Sequence, residues 1–153
     1  MTSNVRPWDP NNKYSCGFLK RFTYWTLEVS YRQHTLGCYI IFLNRAGVQL
    51  QSDISFAESM ELVEVMKMAE SAVRMAFMPD HFNYLQMGNA LKWLHFHGIP
   101  RYEREREFEE KTWVDPTWGM PPLWCKTDFP SDMITSLRDT LASCLASCST
   151  GAG

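Results

Sequence analysis

The sequence predicts an α+β fold, with strands first and last and one long helix between them. Two segments near the start, 24–30 and 38–43, have strand patterns, and a continuous helical pattern occupies 55–78. Two further strand candidates follow at 82–86 and 94–99. Because the strands and the helix occur in separate blocks and do not alternate, this order is typical of α+β proteins.

The two N-terminal strands are expected to differ in burial. Segment 24–30 (YWTLEVS) alternates apolar and polar side chains, which predicts a strand with one buried face. Segment 38–43 (CYIIFL) is an apolar run bounded by turn residues, which predicts a strand buried on both faces. A short polar stretch that ends at Gly37 separates them, so we expect them to pair as a hairpin-type unit.

Both helices have recognisable N-terminal signals. Ser55 and Glu58 have the spacing of a capping box, in which each side chain accepts a hydrogen bond from a free backbone N–H of the first turn. Apolar residues then recur at three- and four-residue steps until Pro79, which predicts one amphipathic helix of about six turns. Ser131 is the expected N-cap of a second helix over 132–148.

Length and composition favour one domain without a membrane span. Residues 1–153 are expected to form a single domain with loose ends at 1–15 and 149–153. The segment 113–124, rich in tryptophan and proline, is expected to pack on this domain or at a dimer interface. The longest apolar run, 38–43, has six residues, which is too short to cross a bilayer.

The charge balance and the cysteines exclude several classes of protein. The net charge of −2 has the wrong sign for a protein that binds nucleic-acid polymers or membrane surfaces through electrostatics. The five cysteines form no CxxC pair, and we expect no secretory signal at the N-terminus, which lacks an apolar stretch behind a positive one. Neither a disulfide framework nor a zinc finger is therefore expected, and we expect reduced thiols in a cytoplasmic protein.

The most informative segment is 93–99 (WLHFHGI), which contains two of the four histidines. Strand alternation places Trp93, His95 and His97 on one face, with the two imidazoles ~7 Å apart along the strand. Two imidazoles that point the same way suit a shared phosphate or a shared metal. Two structural histidines with satisfied hydrogen bonds would give the same pattern.

These histidines and the residues before them resemble the histidine-triad (HIT) family. The resemblance lies in segments 83–90 (NYLQMGNA) and 93–102 (WLHFHGIPRY). The family signature is His-φ-His-φ-His-φ-φ, in which φ is an apolar residue. The resemblance covers about 21–124. It implies an antiparallel sheet of about five strands, with one long helix packed on it and a C-terminal helix.

The resemblance also implies a nucleotide-processing activity that cleaves a phosphoanhydride or phosphoramidate at an α-phosphate. His95 matches the middle histidine, which attacks phosphorus and forms a nucleotidyl-histidine intermediate. The other imidazole nitrogen must then keep its proton and donate a hydrogen bond to an acceptor, for which we expect a backbone carbonyl. His97 matches the third histidine, a donor to the phosphate oxygens, and Asn83, Gly88 and Asn89 match positions that approach phosphate.

Trp93 is the one departure from the signature, because it stands where the family has its first histidine. An indole has a single N–H donor, accepts no hydrogen bond and cannot titrate, so it cannot protonate a leaving group. We therefore expect weakened hydrolysis that favours activated anhydrides over phosphoramidates. Alternatively, Trp93 only fills the floor of the pocket, or closes the site.

The nucleoside end of the site is less defined by the sequence. Glu28 and Ser30 lie in the region that would meet a ribose hydroxyl, and His34 lies on a loop that is near the nucleoside pocket in HIT proteins. No cofactor is expected to be required, although a divalent cation could accompany the nucleotide. The expected partners are a nucleotide or dinucleotide and a second copy of the chain.

Two other functions remain open at this point. The same pocket could hold a nucleotide without turnover, as a binding module in which Trp93 has ended catalysis. Alternatively, His95 and His97 could bind a metal with a third ligand from His34, a carboxylate or a cysteine. The three readings differ in whether nucleotide is cleaved, only bound, or replaced by a metal.

Overall fold

The structure is a computed structural model, which describes Asp9 and residues 11–150. Its elements are β1 (Phe18–Arg21), β2 (Trp25–Val29), β3 (Tyr39–Leu43), α1 (Phe56–Phe77), β4 (His81–Leu85), β5 (His95–Arg101), β6 (Arg106–Phe108), β7 (Lys111–Trp113) and α2 (Ser131–Thr150). The first five strands form one antiparallel sheet in the order β1-β2-β3-β5-β4, and β6 pairs with β7. The predicted α+β class is confirmed, with five strands, one long helix and a C-terminal helix.

Both helices pack on the same face of the sheet. Alternate residues of β2 and β3 point to that face, and they form one apolar core with the inner sides of α1 and α2. The residues of this core on the two strands are Trp25, Leu27, Val29, Tyr39, Ile41 and Leu43. The residues between them point to the opposite face, which is where the site is found.

The expected half-exposed strand is buried on both faces. All five residues of β2 are buried, and this includes the polar pair Thr26 and Glu28 on the face away from the helices. The prediction of one solvent-facing side is therefore wrong. Thr26 donates a hydrogen bond to Asn44 (2.6 Å), whereas Glu28 lies in the wall of a cavity.

The capping box of the long helix is confirmed. Ser55 Oγ accepts from the backbone N–H of Glu58 at 3.1 Å, and the Glu58 carboxylate accepts from the Ser55 N–H at 2.7 Å. Arg45 donates two further hydrogen bonds to the same carboxylate, which lowers the pKa of Glu58 to about 2. The helix ends at Phe77, and its C-cap, Met78, adopts a left-handed conformation before Pro79. The second helix begins at Ser131 itself, and the preceding residue, Pro130, accepts its first hydrogen bond.

Strand β5 is held against β3 by a close approach at Gly98. Gly98 pairs with Tyr39, and a methyl group at Gly98 would overlap the Tyr39 ring. The Tyr39 hydroxyl is hydrogen-bonded to the Tyr84 hydroxyl (2.5 Å), which in turn donates to Glu70 on α1 (2.9 Å). This packing fixes the strand that carries both histidines of the candidate site.

The segment after β5 is ordered in spite of its mixed charges. Residues 101–111 carry nearly balanced charges, but Arg101 is buried, and β6 pairs with β7 as a hairpin. The guanidinium of Arg101 binds the carboxylate of Asp115 at 2.6 and 3.2 Å. This ion pair holds Asp115, and with it part of segment 113–124, against β5.

The ends of the chain are only partly covered by the description. Residues 1–8, 10 and 151–153, where we expected loose ends, lie outside the described residues. Residues 11–15 belong to the predicted loose end, yet Tyr14 stacks on Tyr31 with ring centroids 3.7 Å apart. In the described part of the chain, no helix has the length and apolar character needed to cross a membrane.

Candidate functional site

A cavity of about 890 Å³ lies on the face of the sheet opposite the helices. Its floor follows the strand register, in which Glu28 pairs with Ile40, and Ile40 pairs with His97. A parallel row is formed where Phe42 pairs with His95. The walls come from four segments, and their lining residues are Asn11 to Tyr14, Tyr31, Arg32, Met87 to Trp93, and Trp124. The three residues Trp93, His95 and His97 therefore share this cavity, as strand alternation predicted.

His95 is held in the orientation that a nucleophilic imidazole needs. Its Nδ1 lies 2.6 Å from the backbone carbonyl of Trp93, which can only accept, so Nδ1 carries the proton. This confirms the expected backbone acceptor. Burial lowers the pKa of His95 below its usual range, so the ring is neutral near pH 7. Among the described residues Nε2 has no recorded hydrogen bond, and its lone pair is left for a ligand.

His97 lies beside His95, with the ring centroids 4.9 Å apart. Burial lowers the pKa of His97 to about 3, with a further contribution from the neighbouring histidines. Its Nδ1 is buried and has no hydrogen-bond partner among the described residues. The ring is therefore neutral, and a proton on Nε2 would face a bound ligand as a donor.

Trp124 and His34 form the wall next to His97. The Trp124 indole stacks on the His34 ring at 3.7 Å and meets the His97 ring edge-on at 5.1 Å. His34 Nδ1 accepts a hydrogen bond from the backbone N–H of Cys125 (2.9 Å), and burial lowers the pKa of His34 to about 4. His34 thus supports this wall, and it is not among the residues that line the cavity.

Trp93 lines the cavity, but its single donor is already used. The indole Nε1 donates to the backbone carbonyl of Leu43 at 2.6 Å. The side chain therefore offers a bound phosphate neither a proton nor a hydrogen bond, while its carbonyl orients His95. The cavity beside it stays open, so Trp93 does not close the site.

The loop from β4 to β5 supplies two of the three expected phosphate-contacting residues. Gly88 has φ = 69° and lines the cavity together with Asn89. Asn83 does not line it, because its side-chain oxygen accepts from the guanidinium of Arg101 at 2.6 Å. The geometry therefore brings Gly88 and Asn89 to His95 and His97, and it uses Asn83 elsewhere.

The two candidate ribose-binding residues of β2 also differ. Glu28 lies in the cavity floor, and it is 3% exposed. Ser30 is buried in the turn that follows, where its hydroxyl accepts from the backbone N–H of Arg32 (3.2 Å). Ser30 is not among the residues that line the cavity.

The rim of the cavity includes a basic and aromatic group that the sequence analysis missed. The Tyr14–Tyr31 stack lies here with Lys13, whose ammonium is 4.5 Å from the centre of the Tyr14 ring. Arg32 pairs with Asp128 beyond the rim (3.1 Å), and Lys92 lines the opposite loop. No local motif links residues 11–14 to residues 31–32, so only the folded chain reveals this group.

The metal alternative lacks a suitable set of ligands. In the described ranges, no group of three His, Cys, Asp or Glu side chains is placed to hold a metal ion. His34, one of the alternatives for the third ligand, uses Nδ1 to accept from the backbone N–H of Cys125. All five cysteines are free, and burial raises the pKa of the Cys38 thiol to about 11, which makes it a poor ligand.

Comparison with known proteins gives matches among solved structures only. No protein-family model and no curated protein sequence matches the chain. A hypothetical histidine triad nucleotide-binding protein from Sulfolobus tokodaii superposes with a TM-score of 0.70 at 15% identity, over 90% of this chain and 88% of that one. A histidine triad protein from Marinobacter aquaeolei gives 0.62 at 17% identity, over 91% and 96%.

A third match is a zinc-bound histidine triad family protein from Mycobacterium smegmatis. Its TM-score is 0.60 at 14% identity, over 88% of this chain and 86% of that one. The resemblance first carried by segments 83–90 and 93–102 thus extends over most of the described sheet and helices. This chain has the fold of the histidine-triad proteins.

Proposed function

We propose that the protein binds nucleotides in the sheet-face cavity and cleaves a phosphoanhydride at the α-phosphate. The observation that carries this proposal is the hydrogen bond from His95 Nδ1 to the carbonyl of Trp93, which leaves the Nε2 lone pair for phosphorus. The fold shared with histidine-triad proteins supports the substrate class. The substrates we propose are dinucleoside polyphosphates and nucleotidyl adducts.

The charge around the cavity supports an anionic ligand. Lys13, Arg32 and Lys92 line it, and Glu28 is the one acidic residue among the lining residues. Burial raises the pKa of Glu28 to about 8, so this carboxyl is mainly neutral at pH 7. The cavity therefore presents basic side chains and no full negative charge to a phosphate chain.

The proposed reaction has two displacements at phosphorus. The Nε2 lone pair of His95 forms a P–N bond while the bond from phosphorus to the leaving phosphate oxygen breaks. His97 Nε2–H and the backbone near Gly88 donate to the phosphate oxygens as charge develops. Water then attacks phosphorus, the P–N bond breaks, and the electron pair returns to the imidazole while a proton from water goes to solvent.

Trp93 limits the leaving groups that this site can serve. Because its N–H is bound to Leu43, no proton donor stands at the first triad position. A nucleotide or pyrophosphate leaves as a stable anion without protonation, whereas an amine does not. We therefore propose a preference for anhydrides over phosphoramidates.

Turnover of diadenosine tetraphosphate tests this function, with binding measured in parallel by calorimetry. We expect wild-type protein to form nucleotide products, to retain turnover in EDTA because the nucleophile is an imidazole, and to cleave adenosine phosphoramidate at least ~10-fold more slowly. Binding without product would favour the second candidate, a nucleotide-binding module, for which the engaged indole of Trp93 is the specific observation. Absence of binding would contradict both.

We also propose that the chain forms a homodimer through α1. Phe56, Met60 and Val63 recur at four- and three-residue steps on this helix, and they are 82%, 58% and 50% exposed. A stripe of large apolar side chains on a helix is typical of an interface.

Sedimentation should give about twice the monomer mass, and Met60→Glu should give the monomer, with Lys126→Glu, at an exposed position outside α1, as control. A monomeric wild type would contradict the dimer.

A cytoplasmic location is the remaining part of the proposal. It is supported by five free cysteines, none of which is paired in the folded chain. Cell fractionation should recover the protein with soluble cytosolic markers, and recovery with secreted material would contradict it.

A further inference from the structure

Glu28 is a buried acid whose place in the cavity is not explained by the phosphate chemistry. It lies in one cross-strand row with Ile40 and His97, so two strand spacings separate it from His97. At ~4.8 Å per spacing, the two backbones are ~10 Å apart on the same face of the sheet. The acid is therefore too far from His95 and His97 to contact a phosphate held between them.

The carboxyl group of Glu28 makes no hydrogen bond to another described residue. Its Oε2 is buried without a partner in this part of the chain, and the residue is 3% exposed. The charged groups at the rim are engaged elsewhere, since Arg32 pairs with Asp128 and Lys13 lies over the Tyr14 ring. The other titratable groups facing the cavity are Tyr31, Tyr14, Lys92, His95 and His97. An unpaired buried carboxyl lowers stability, and a cavity wall is where a ligand could satisfy it.

The state of this carboxyl decides what it can bind. Burial alone raises the pKa of Glu28 to about 8, so at pH 7 the group is mainly the neutral acid. A neutral acid presents one O–H donor and one carbonyl acceptor side by side. The Watson–Crick edge of every nucleobase offers an adjacent acceptor and donor, such as N1 and the N6 amine of adenine.

We propose that Glu28 is a ligand-binding residue that hydrogen-bonds the Watson–Crick edge of the nucleobase. This inference rests on the proposed nucleotide-binding function. It names the contact made by the part of the nucleotide that lies farthest from the phosphate. In a nucleoside 5′-phosphate the sugar lies between phosphorus and the base. With phosphate at His95 and His97 and the sugar above Ile40, the base edge reaches the third position of the row, which is Glu28.

Binding of three ligands to three proteins tests the contact. Adenosine 5′-monophosphate, guanosine 5′-monophosphate and ribose 5-phosphate are titrated calorimetrically into wild type, Glu28→Leu and Glu28→Gln at pH 7. We expect Glu28→Leu to raise the Kd of the tighter-binding nucleotide ~10-fold and that of ribose 5-phosphate less than ~2-fold. Glu28→Gln, whose amide also offers one donor edge and one acceptor, should stay within ~3-fold of wild type.

The pH dependence gives a second readout that a structural role would not produce. As pH rises from 7 to 9 the wild-type acid loses its O–H donor, so nucleotide affinity should fall through pH 8. Glu28→Gln does not ionise and should show no such fall, and ribose 5-phosphate should show none with either protein. Glu28→Leu should melt no lower than wild type because it removes an unpaired buried polar group, so lost affinity would not be unfolding.

The remaining outcomes overturn the proposal. Equal loss of nucleotide and ribose 5-phosphate affinity in Glu28→Leu would place the carboxyl at the sugar, and unchanged affinities would remove it from the ligand. If wild type binds none of the three ligands, the proposed nucleotide-binding function fails together with this contact. If wild type binds them but Glu28→Leu shows no selective loss of nucleotide affinity over ribose 5-phosphate affinity, the function stands and the inference fails.

Discussion

Replacement of His95 by alanine should lower the rate of nucleotide cleavage by ~10³-fold or more while leaving nucleotide binding within ~10-fold of wild type. The large effect follows because the proposed reaction forms a bond to His95 Nε2, and no other described side chain in the cavity has a neutral imidazole fixed by a backbone carbonyl. His97→Ala should cost less, since His97 donates a hydrogen bond and forms no bond to phosphorus. Steady-state kinetics with diadenosine tetraphosphate measures both.

The pH profile and a matched variant make the His95 prediction specific. Because burial lowers the pKa of His95, the lone pair stays free below the usual histidine pKa, and kcat/KM should remain level from pH 7 to below pH 6.5. His81→Ala is the control, because His81 is exposed at the start of β4. A His95 variant that retains turnover, or a His81 variant that loses it, would contradict the assignment.

Replacement of Arg101 by methionine should lower the free energy of unfolding by about 3–5 kcal/mol. The Arg101 and Asp115 side chains are 4% and 0% exposed, so the change leaves a buried carboxylate without its cation. The guanidinium also donates to the carbonyls of Thr117 and Met120 at 2.8 Å each. Denaturant unfolding measures the loss, and limited proteolysis should show faster cleavage within 116–123.

Two variants separate the buried pair from a general charge effect. Arg101→Met combined with Asp115→Leu removes both charges and should recover much of the stability. Arg138→Met breaks an exposed pair with Asp139 and should cost less than ~1 kcal/mol. A loss at Arg101 no larger than the loss at Arg138 would contradict the proposed role of Arg101 in fixing segment 113–124.

Much of this fold could be predicted because its signals are local. The capping box at Ser55 and Glu58 depends on residues three positions apart, and the helix after it on a regular apolar period. The common face of His95 and His97 follows from strand alternation alone. The carbonyl acceptor for His95 was predicted from chemistry, since a nucleophilic imidazole needs its far nitrogen held.

The errors come from contacts between distant parts of the chain. Strand β1 has four residues without alternation, and only its pairing with β2 reveals it. Glu28 looked solvent-facing by alternation, but the cavity and the loops around it cover that side. The partners of Arg101 lie 14 to 19 residues further along the chain and 18 residues before it. Charge composition alone could not predict them.

The residues of the candidate site also divide into those predicted from local signals and those found only in the folded chain. His95, His97, Gly88, Asn89 and Trp93 come from one continuous segment, and the structure brings them together. The missed residues, Tyr14 with Lys13 and Tyr31 with Arg32, come from separate segments that meet only in the folded chain, and neither carries a motif.

The central claim is that His95 carries a nucleotidyl group during turnover, and single-turnover trapping tests it most directly. Excess protein is mixed with diadenosine tetraphosphate radiolabelled at the α-phosphate, quenched in alkali during the first turnover, and examined for label bound to protein. We predict label on wild-type protein that is stable in alkali, released by acid, and absent from His95→Ala. Product formation without protein-bound label, or equal labelling of His95→Ala, would contradict the account.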